Sequence, residues 1–286
     1  MHDIIEKFGN SVIQHGKHNS RIYIMSFSKE DFPSIIDKLD LMAIENGYSK
    51  IFAKIPSFAM PKFVENGYRI EASIPHYNNG KQDKFYFLGK YFDKSRMIDV
   101  KNEDINKILK IACSKENIYE NIIKFDLPNG YEYKMCDKSH ARQIADVYSK
   151  VFSKYPFPIF DPEYIMKTMN ENFVYFSIQK DNKIVALSSS EMDNNLKNVE
   201  MTDFATLPDH RGKGFAFHLL YKMEQEMIEK DMKIMYTISR AMSYGINIIF
   251  AKMGYIHGGT LSNNTSISDK SIPDNFESMN VWYKIL

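Results

Sequence analysis

The sequence predicts an α/β protein built on a mixed sheet, in two parts. Residues 126–286 form a regular C-terminal half, and residues 1–125 a degenerate, partial repeat of it. Three observations predict this. A strand-like run, Val199 to Thr206, leads through the glycine-rich turn Arg211-Gly212-Lys213-Gly214-Phe215-Ala216 into an amphipathic helix. Strand and helix patterns alternate with short connections around that turn. Finally, Phe63-Val64-Glu65-Asn66-Gly67-Tyr68 echoes Phe250-Ala251-Lys252-Met253-Gly254-Tyr255, each ahead of a strand.

In the C-terminal half, Tyr131 to Met135 reads as a short strand, and Ala141 to Phe152 has helical spacing through Ile144, Val147, Tyr148 and Val151. Lys154 to Pro158 is a loop of aromatics and proline. Pro162 then opens a short helix toward Met169, because a proline at the first helical position forfeits no hydrogen bond. Val174 to Gln179 and Lys183 to Ser190 are strands joined by a hairpin at Lys180-Asp181-Asn182. Beyond the Val199–Thr206 strand, the stripe Phe215, Leu219, Leu220, Met223, Met227 defines a helix of about 17 residues. Lys233 to Ser239 is a buried strand. Ser243 to Met253 is a helix closed by Gly254, followed by a further strand, and Ser278 to Lys284 closes the sheet.

The N-terminal half reads as a strand at Arg21–Ser26, a helix from Asp31 to Asn46 ended by Gly47, a strand at Lys50–Ile55, then Gly67-Tyr68 and a strand at Arg69–Ala72. Phe85 to Tyr91 is dense in aromatics and is expected to pack rather than bind. A separate small α/β domain with a chance Gly-Tyr is the alternative to a repeat.

Composition narrows the function classes. With 286 residues, 44% hydrophobic and 26% charged, the chain is a folded protein of two modest domains or one large one. A formal net charge of +1 gives no field for nucleic acid or an anionic membrane. Cys113 and Cys136 are too few for a disulfide framework and are expected to be packed, reduced thiols. The start lacks a signal-peptide pattern and no apolar run approaches a membrane span, so a cytoplasmic location is expected. The histidines show no metal-ligand spacing, and no metal is expected.

The turn carries the chemistry. A glycine-rich turn opening a helix gathers backbone N–H groups at the positive end of the helix dipole, an arrangement suited to phosphate oxygens. Gly212 and Gly214 keep a Cβ out of the way, and Arg211 adds a fixed positive charge. Neither the mononucleotide nor the dinucleotide glycine spacing is present. Glu200 and Asp203 are the carboxylates on the preceding strand. Three residues apart, they should project from opposite faces, so that only one lines an active face. Glu200 is then either a placed base or a solvated strand carboxylate.

Leu207-Pro208-Asp209-His210 followed by Arg211-x-x-Gly214-x-Ala216 resembles the pyrophosphate loop of the GNAT superfamily of acetyl-CoA-dependent N-acetyltransferases, and Phe250 to Tyr255 resembles that family's downstream Y-E-K-L-G-F segment. The resemblance spans about residues 126–286 and implies the GNAT fold with acetyl-CoA as co-substrate. It implies a cofactor site at Phe204, Ala205, Thr206, Arg211, Gly212, Lys213, Gly214, Phe215, Ala216 and Phe250, with oxyanion-binding N–H groups near Ala205 and Thr206. It also favours Glu200 as general base. An ammonium with a pKa near ~10.4 leaves fewer than about one molecule in a thousand nucleophilic at neutral pH, so a base is needed. Phe250 departs from the pattern: many members carry a tyrosine there to protonate the leaving thiolate. Tyr244, Ser243 or Tyr255 could take over, with Tyr255 kept as the catalytic candidate, or the thiolate leaves unprotonated. The N-terminal half has no such turn and is not expected to bind a second CoA.

Stretches in both halves are similar to the β-lysine N-acetyltransferases. They include Glu200 to Pro208, Gly258-Gly259-Thr260-Leu261 with Asn263-Asn264, Glu277 to Tyr283, Asn66 to Pro75, and Lys90-Tyr91-Phe92. This implies acetylation of the ε-amine of 3,6-diaminohexanoate to give the Nε-acetyl product. Such a substrate has one carboxylate and two ammoniums. Arg240 is the expected carboxylate partner, unless it caps a strand end, with Asn263, Asn264 and Glu277 as candidates for the 3-ammonium and Asp203 as a further substrate-binding candidate. Two readings compete: an acetyltransferase for another small amine (polyamine, lysine, aminoglycoside), and a non-catalytic CoA-binding sensor. A small-molecule amine is the expected partner, without nucleic acid or membrane, and a homodimer is compatible with the chain.

Overall fold

The computed structural model describes residues 3–78, 81–115, 126–269 and 276–286. The expected domain boundary after residue 125 adjoins 116–125, outside the described residues. The N-terminal half contains β1 (Ile4–Phe8), β2 (Ser11–Gly16), β3 (Arg21–Ser26), α1 (Ile35–Asn46), β4 (Lys50–Pro56), α2 (Met60–Glu65), β5 (Arg69–Asn78), β6 (Lys81–Tyr91) and α3 (Asn102–Cys113). The C-terminal half contains β7 (Tyr131–Met135), α4 (Ala141–Val151), β8 (Phe152–Lys154), α5 (Pro162–Glu171), β9 (Phe173–Lys180), β10 (Lys183–Asp193), β11 (Asn198–Thr206), α6 (Phe215–Glu229), β12 (Ile234–Arg240), α7 (Tyr244–Lys252), β13 (Ile256–Ser266), β14 (Ser268–Asp269) and β15 (Phe276–Ile285).

Among the described residues, thirteen strands join one mixed sheet in the order β1-β2-β3-β4-β6-β5-β13-β15-β12-β11-β10-β9-β7. The two halves share a strand order. β1-β2-β3-β4-β6-β5 runs inward from one edge as β9-β10-β11-β12-β15-β13 runs inward from the other side, where β7 adds an outermost strand. In each, one parallel pair, β3 with β4 and β11 with β12, is bridged by a helix, α1 or α6. Register puts Tyr23 opposite Gln14 and Phe52, as Glu200 lies opposite Glu191 and Tyr236.

The halves meet where β5 pairs with β13 at Ala72 and Gly259. Gly259 has φ +140, and a Cβ there would lie 2.2 Å from the Glu71 carbonyl oxygen and 2.6 Å from the Ala72 Cα. Only glycine allows this approach. From the seam the sheet curls, so that strands distant in the order meet inside it. Lys54 Nζ of β4 donates to the Tyr236 hydroxyl of β12 at 2.8 Å, and Arg21 of β3 donates to the Asn264 carbonyl of β13 at 2.7 Å.

Three apolar clusters follow. Ile13, Ile22, Leu39, Ile51 and Phe63 pack under α1 and α2. Met201, Leu219, Met223, Met235 and Phe250 pack under α6 and α7, with α3 against α7. On the other face, Phe52, Phe87, Ile144, Tyr148, Tyr175 and Tyr236 join both halves beneath α4 and α5. No helix among the described residues is long and apolar enough to cross a membrane.

Some expectations need correction. α1 begins at Ile35 rather than Asp31, because Pro33 holds Phe32 extended (φ −84, ψ 139). Asp31 instead accepts bonds from the Asn10 and Ser11 backbone and ties the β1–β2 turn. The strands at Ile4–Phe8 and Ser11–Gly16 and the helix at Asn102–Cys113 were not expected, and Phe85–Tyr91 belongs to a strand that starts at Lys81. Cys113 is exposed at the end of α3 rather than packed, and Cys136 is half-buried. The 180–182 hairpin holds, with Asp181 and Asn182 at φ +49 and +60.

Gly259→Ala should destabilise the protein by about 3 kcal/mol, from strain at positive φ plus the clash at the seam. A thermal melt within about 1 °C of the parent would contradict the placement of the seam.

Candidate active site

β11 and β12 pair only from Asn198–Ile234 to Glu200–Tyr236, and beyond Glu200 the two strands separate. The gap opens onto a cavity of about 1400 Å³ enclosed by the curl of the sheet, α5 and the 155–159 loop. Its wall includes Glu191, Glu200, Asp203 and Tyr236 from the C-terminal half and Arg21, Tyr23 and Lys54 from the N-terminal half.

β11 carries a bulge. Thr202 pairs with Ser189 and Ala205 with Leu187, so Asp203 and Phe204 together face one residue of β10. Asp203 takes φ +57. The extra residue reverses the alternation: Met201 packs beneath α6, whereas Ala205, of the same parity, packs on the cavity side. The expected separation of Glu200 from Asp203 therefore fails, and both carboxylates line the cavity. Asp203 accepts from the hydroxyls of Tyr155 and Ser189, the latter at 2.5 Å.

Glu191 stands directly opposite Glu200 across β10 and β11. Burial, then the neighbouring Glu191 charge, pushes the Glu200 carboxyl up to about 8. Burial raises Glu191 to about 7 and Asp203 above its ordinary value. Lys54, the cation among them, is held below the ordinary lysine value by burial. Its Nζ bonds to the Tyr236 hydroxyl, and Tyr236 stands opposite Glu200 in the β11–β12 register. Three carboxylates against one lysine form a site that attracts an ammonium and holds a base close to neutrality.

The turn behind β11 is open. Arg211 to Gly214 are exposed, and Gly212 and Gly214 have φ +77 and +75. A Cβ at either glycine would meet no protein atom within 4 Å, so the turn leaves open space in front of its backbone. The Gly212, Lys213 and Gly214 N–H groups have no backbone acceptor among the described residues. Gly214 caps α6, whose first turn, Phe215 and Ala216, offers its N–H groups there too. The Phe215 side chain itself is buried against Tyr131. Arg211 Nε donates to the Thr206 carbonyl at 3.3 Å. Phe204, Thr206 and Arg211 line the cavity, and Ala205 is core. The Leu207 N–H is used on Val185, so that of Thr206, alternate along the strand, faces the gap.

Other candidates fall elsewhere. Phe250 is fully buried, edge-on to Phe204 and Tyr255, and does not reach the cavity. Tyr255 is core as well, its hydroxyl 3.4 Å from Met235 Sδ, because the helix stop at Gly254 turns it inward. Of its alternatives, Tyr244 is exposed outside the cavity and Ser243 lines it. Arg240 lines the cavity, but its fork is bound to Glu277 by two 2.7 Å contacts, so the carboxylate it was expected to receive is supplied internally. Glu277 and Asn263 line a smaller cavity instead. Asn263, at φ +41, donates to the Arg96 and Ile98 carbonyls. Asn264 does line the main cavity. Lys54, Glu191, Tyr155, Tyr236 and Arg21 were missed. An interior strand carboxylate at Glu191, in register with Glu200 across the hairpin, was the one legible signal.

The chain is similar to known proteins. Residues 141–255 match the family model described as the acetyltransferase (GNAT) family. Over 286 residues, all of this chain and 99% of the relative, the sequence is 41% identical to the β-lysine N(6)-acetyltransferase of Methanococcus maripaludis. It is 33% identical to that of Methanosarcina mazei, over 89% of this chain and 98% of the relative. It is 29% identical to the N-acetyltransferase YodP of Bacillus subtilis, over 96% of both chains.

The raised Glu200 value predicts a pH effect on stability. In the folded state the carboxyl holds its proton up to about 8, against 4.5 for the unfolded chain. Between those values the folded state binds more protons, so stability falls as pH rises from about 4.5 to about 8. Glu200→Gln should remove that slope, melting about 3 °C or more above the parent at pH 8.5 and near it at pH 4.5. Parallel melting curves at every pH would refute it.

Proposed function

The chain belongs to the acetyltransferase (GNAT) family, and from that premise we propose that it transfers the acetyl group of acetyl-CoA to the ε-amine of 3,6-diaminohexanoate (β-lysine), giving the Nε-acetyl product. The observation that carries the reading is that a cluster of carboxylates lines the cavity at the gap between β11 and β12, and that Arg211, the first residue of the open glycine-rich turn, borders the same cavity. The relatives' activity supplies the substrate, and a dicationic amino acid suits a cavity with an excess of acid.

Acetyl-CoA would lay its pyrophosphate on the N–H groups of residues 212–216 beside Arg211, and its pantetheine arm in the gap. Its thioester would then lie beside Glu200, with the Thr206 N–H facing the carbonyl oxygen. The ε-ammonium gives its proton to Glu200. A carboxyl near 8 is far better matched to an ammonium near ~10.4 than an ordinary glutamate is. The free amine attacks the carbonyl carbon, the N–C bond forms, the C–S bond breaks and CoA leaves as thiolate, while the attacking nitrogen releases its second proton to solvent to become the neutral amide. A thiol pKa of about 8.5 makes this departure possible without an acid, consistent with the buried Phe250.

Residues 126–286 would thus carry the co-substrate site and the base, and residues 1–125 the far wall of the same cavity. Tyr155 and Ser189 fix Asp203, which with Glu191 would keep the amine in the cluster as its proton leaves.

Thiol release from acetyl-CoA with β-lysine, α-lysine, spermidine and buffer tests the reading. Turnover should favour β-lysine, and Glu200→Gln should lower kcat by about 10²–10⁴-fold. CoA binding without turnover of any amine would instead indicate a sensor. kcat/KM should rise with pH through the neutral range as Glu200 ionises. Lys54→Met removes the cation that favours that ionisation and should move the rise about one unit higher in pH. An unmoved profile would remove Lys54 from the network. Arg211→Ala should raise KM for acetyl-CoA about tenfold while leaving KM for the amine unchanged.

A further inference from the structure

With Arg240 bound to Glu277, the substrate's carboxylate needs another partner, and the far wall of the cavity holds one. Five lysine and arginine side chains among the described residues line the cavity. Arg240 pairs with Glu277, Lys54 faces Glu191 and Glu200, Lys167 is exposed beside Glu171, and Arg211 belongs to the anion-binding turn. Arg21 is different. Its side chain is buried, 4% exposed, and no carboxylate of the described residues lies within ion-pair distance. Asp3, whose charge reaches it, is occupied by the His18 and Asn19 backbone and the Asn19 amide.

Two of Arg21's donors are accounted for, one on the Asn264 carbonyl at 2.7 Å and one on Gln14 Oε1 at a weak 3.5 Å. Its planar group lies 5.3 Å from the Tyr23 ring centre and 5.5 Å from that of Phe52. These rings stack on one another 4.7 Å apart and hold the fork in place. By contrast Arg96, on the other side of Asn264, spends its donors on the Asn19, Ser20, Asn263 and Asn264 carbonyls and Ser49 Oγ. A buried guanidinium with unspent donors and no counter-ion is costly unless a ligand anion completes it.

A second observation points the same way. Asn264 Oδ1 is buried in the same wall without a hydrogen-bond partner among the described residues. An acceptor beside a carboxylate-binding fork matches a β-amino acid, whose ammonium lies two carbons from its carboxylate. Tyr23, on whose ring Arg21 packs, lies within the field of both Glu191 and Glu200, and all four residues line one cavity.

Resting on the substrate reading above, we propose that Arg21, with Asn264 Oδ1 beside it, is the receptor for the carboxylate and 3-ammonium of the substrate. The N-terminal half then selects amino acids over plain diamines, and the C-terminal half supplies the chemistry. Neither residue touches the reacting atoms, so their effect is on binding.

The test compares β-lysine with 1,4-diaminopentane, the same chain without its carboxylate, for the parent, Arg21→Met and Arg21→Lys. The parent should prefer β-lysine. Arg21→Met should raise KM for β-lysine by about 10²-fold while leaving kcat/KM for the diamine and KM for acetyl-CoA near the parent values. Arg21→Lys keeps the buried charge and guards against a variant that fails to fold. It should raise KM for β-lysine about tenfold, because a point charge replaces a two-pronged fork. Equal losses on both amines, or none on β-lysine, would overturn the assignment while leaving acetyl transfer intact. A parent that acetylates neither amine would overturn the substrate reading beneath it.

Discussion

The cavity depends on one backbone approach: β5 against β13 at Ala72 and Gly259, which turns two half-sheets into one. A buried ion pair locks the same seam. Lys50 Nζ contacts Glu71 at 2.9 Å and the Ser262 carbonyl at 2.8 Å, and Glu71 accepts from the Ser262 N–H and the Tyr91 hydroxyl. Burial lowers Lys50 to about 8, so the pair holds only because each charge is fully bonded. Removing one partner of such a pair typically costs ~3–5 kcal/mol. The continuous sheet can then curl, bringing Lys54 to Tyr236 and Arg21 to Asn264 although several strands separate them in the sheet.

The halves share a strand order but not a chemistry. Where the C-terminal half has Glu191 opposite Glu200, the N-terminal half has Gln14 opposite Tyr23, and where one has Tyr236 the other has Phe52. The turn after β11 is rich in glycine and open. The segment after β3 is Phe27-Ser28-Lys29-Glu30-Asp31-Phe32-Pro33 and folds into a 3-10 turn. Carboxylates and the open glycine-rich turn are therefore on one side, while Tyr23, Phe52 and the buried Arg21 guanidinium occupy the other. The result is a polarised chamber suited to a ligand with opposite charges at its two ends.

Much of this was legible in the residues, and the failures have definite causes. The turn at 211–216, the α6 stripe and the strand order after residue 131 were readable because each is a local pattern. α3 has a clear apolar stripe at Ile105, Ile108 and Ala112, but no capping side chain marks its start. β1 escaped notice because Ile4 to Lys7 are all exposed, leaving no alternation to read. The site assignments failed more often, since a residue's identity does not say which partner it meets. Arg240 and Glu277 both suit a zwitterionic substrate, and they are bonded to one another across 37 positions. Strict alternation assigns Asp203 to the wrong face because the bulge in β11 adds one residue to the count.

The sequence alone determined the fold class, the glycine-rich turn that opens α6 and the strand that leads into it. Those features depend on glycine conformation, helix-start geometry and apolar periodicity, which act over a few neighbouring residues. Only the tertiary structure decided which side chains share the cavity. One left-handed residue at Asp203 brought two carboxylates together, and the seam at Gly259 carried Lys54 and Arg21 across from the other half. Such contacts are fixed by sheet curvature and register summed over many strands, and no local window of residues encodes that sum.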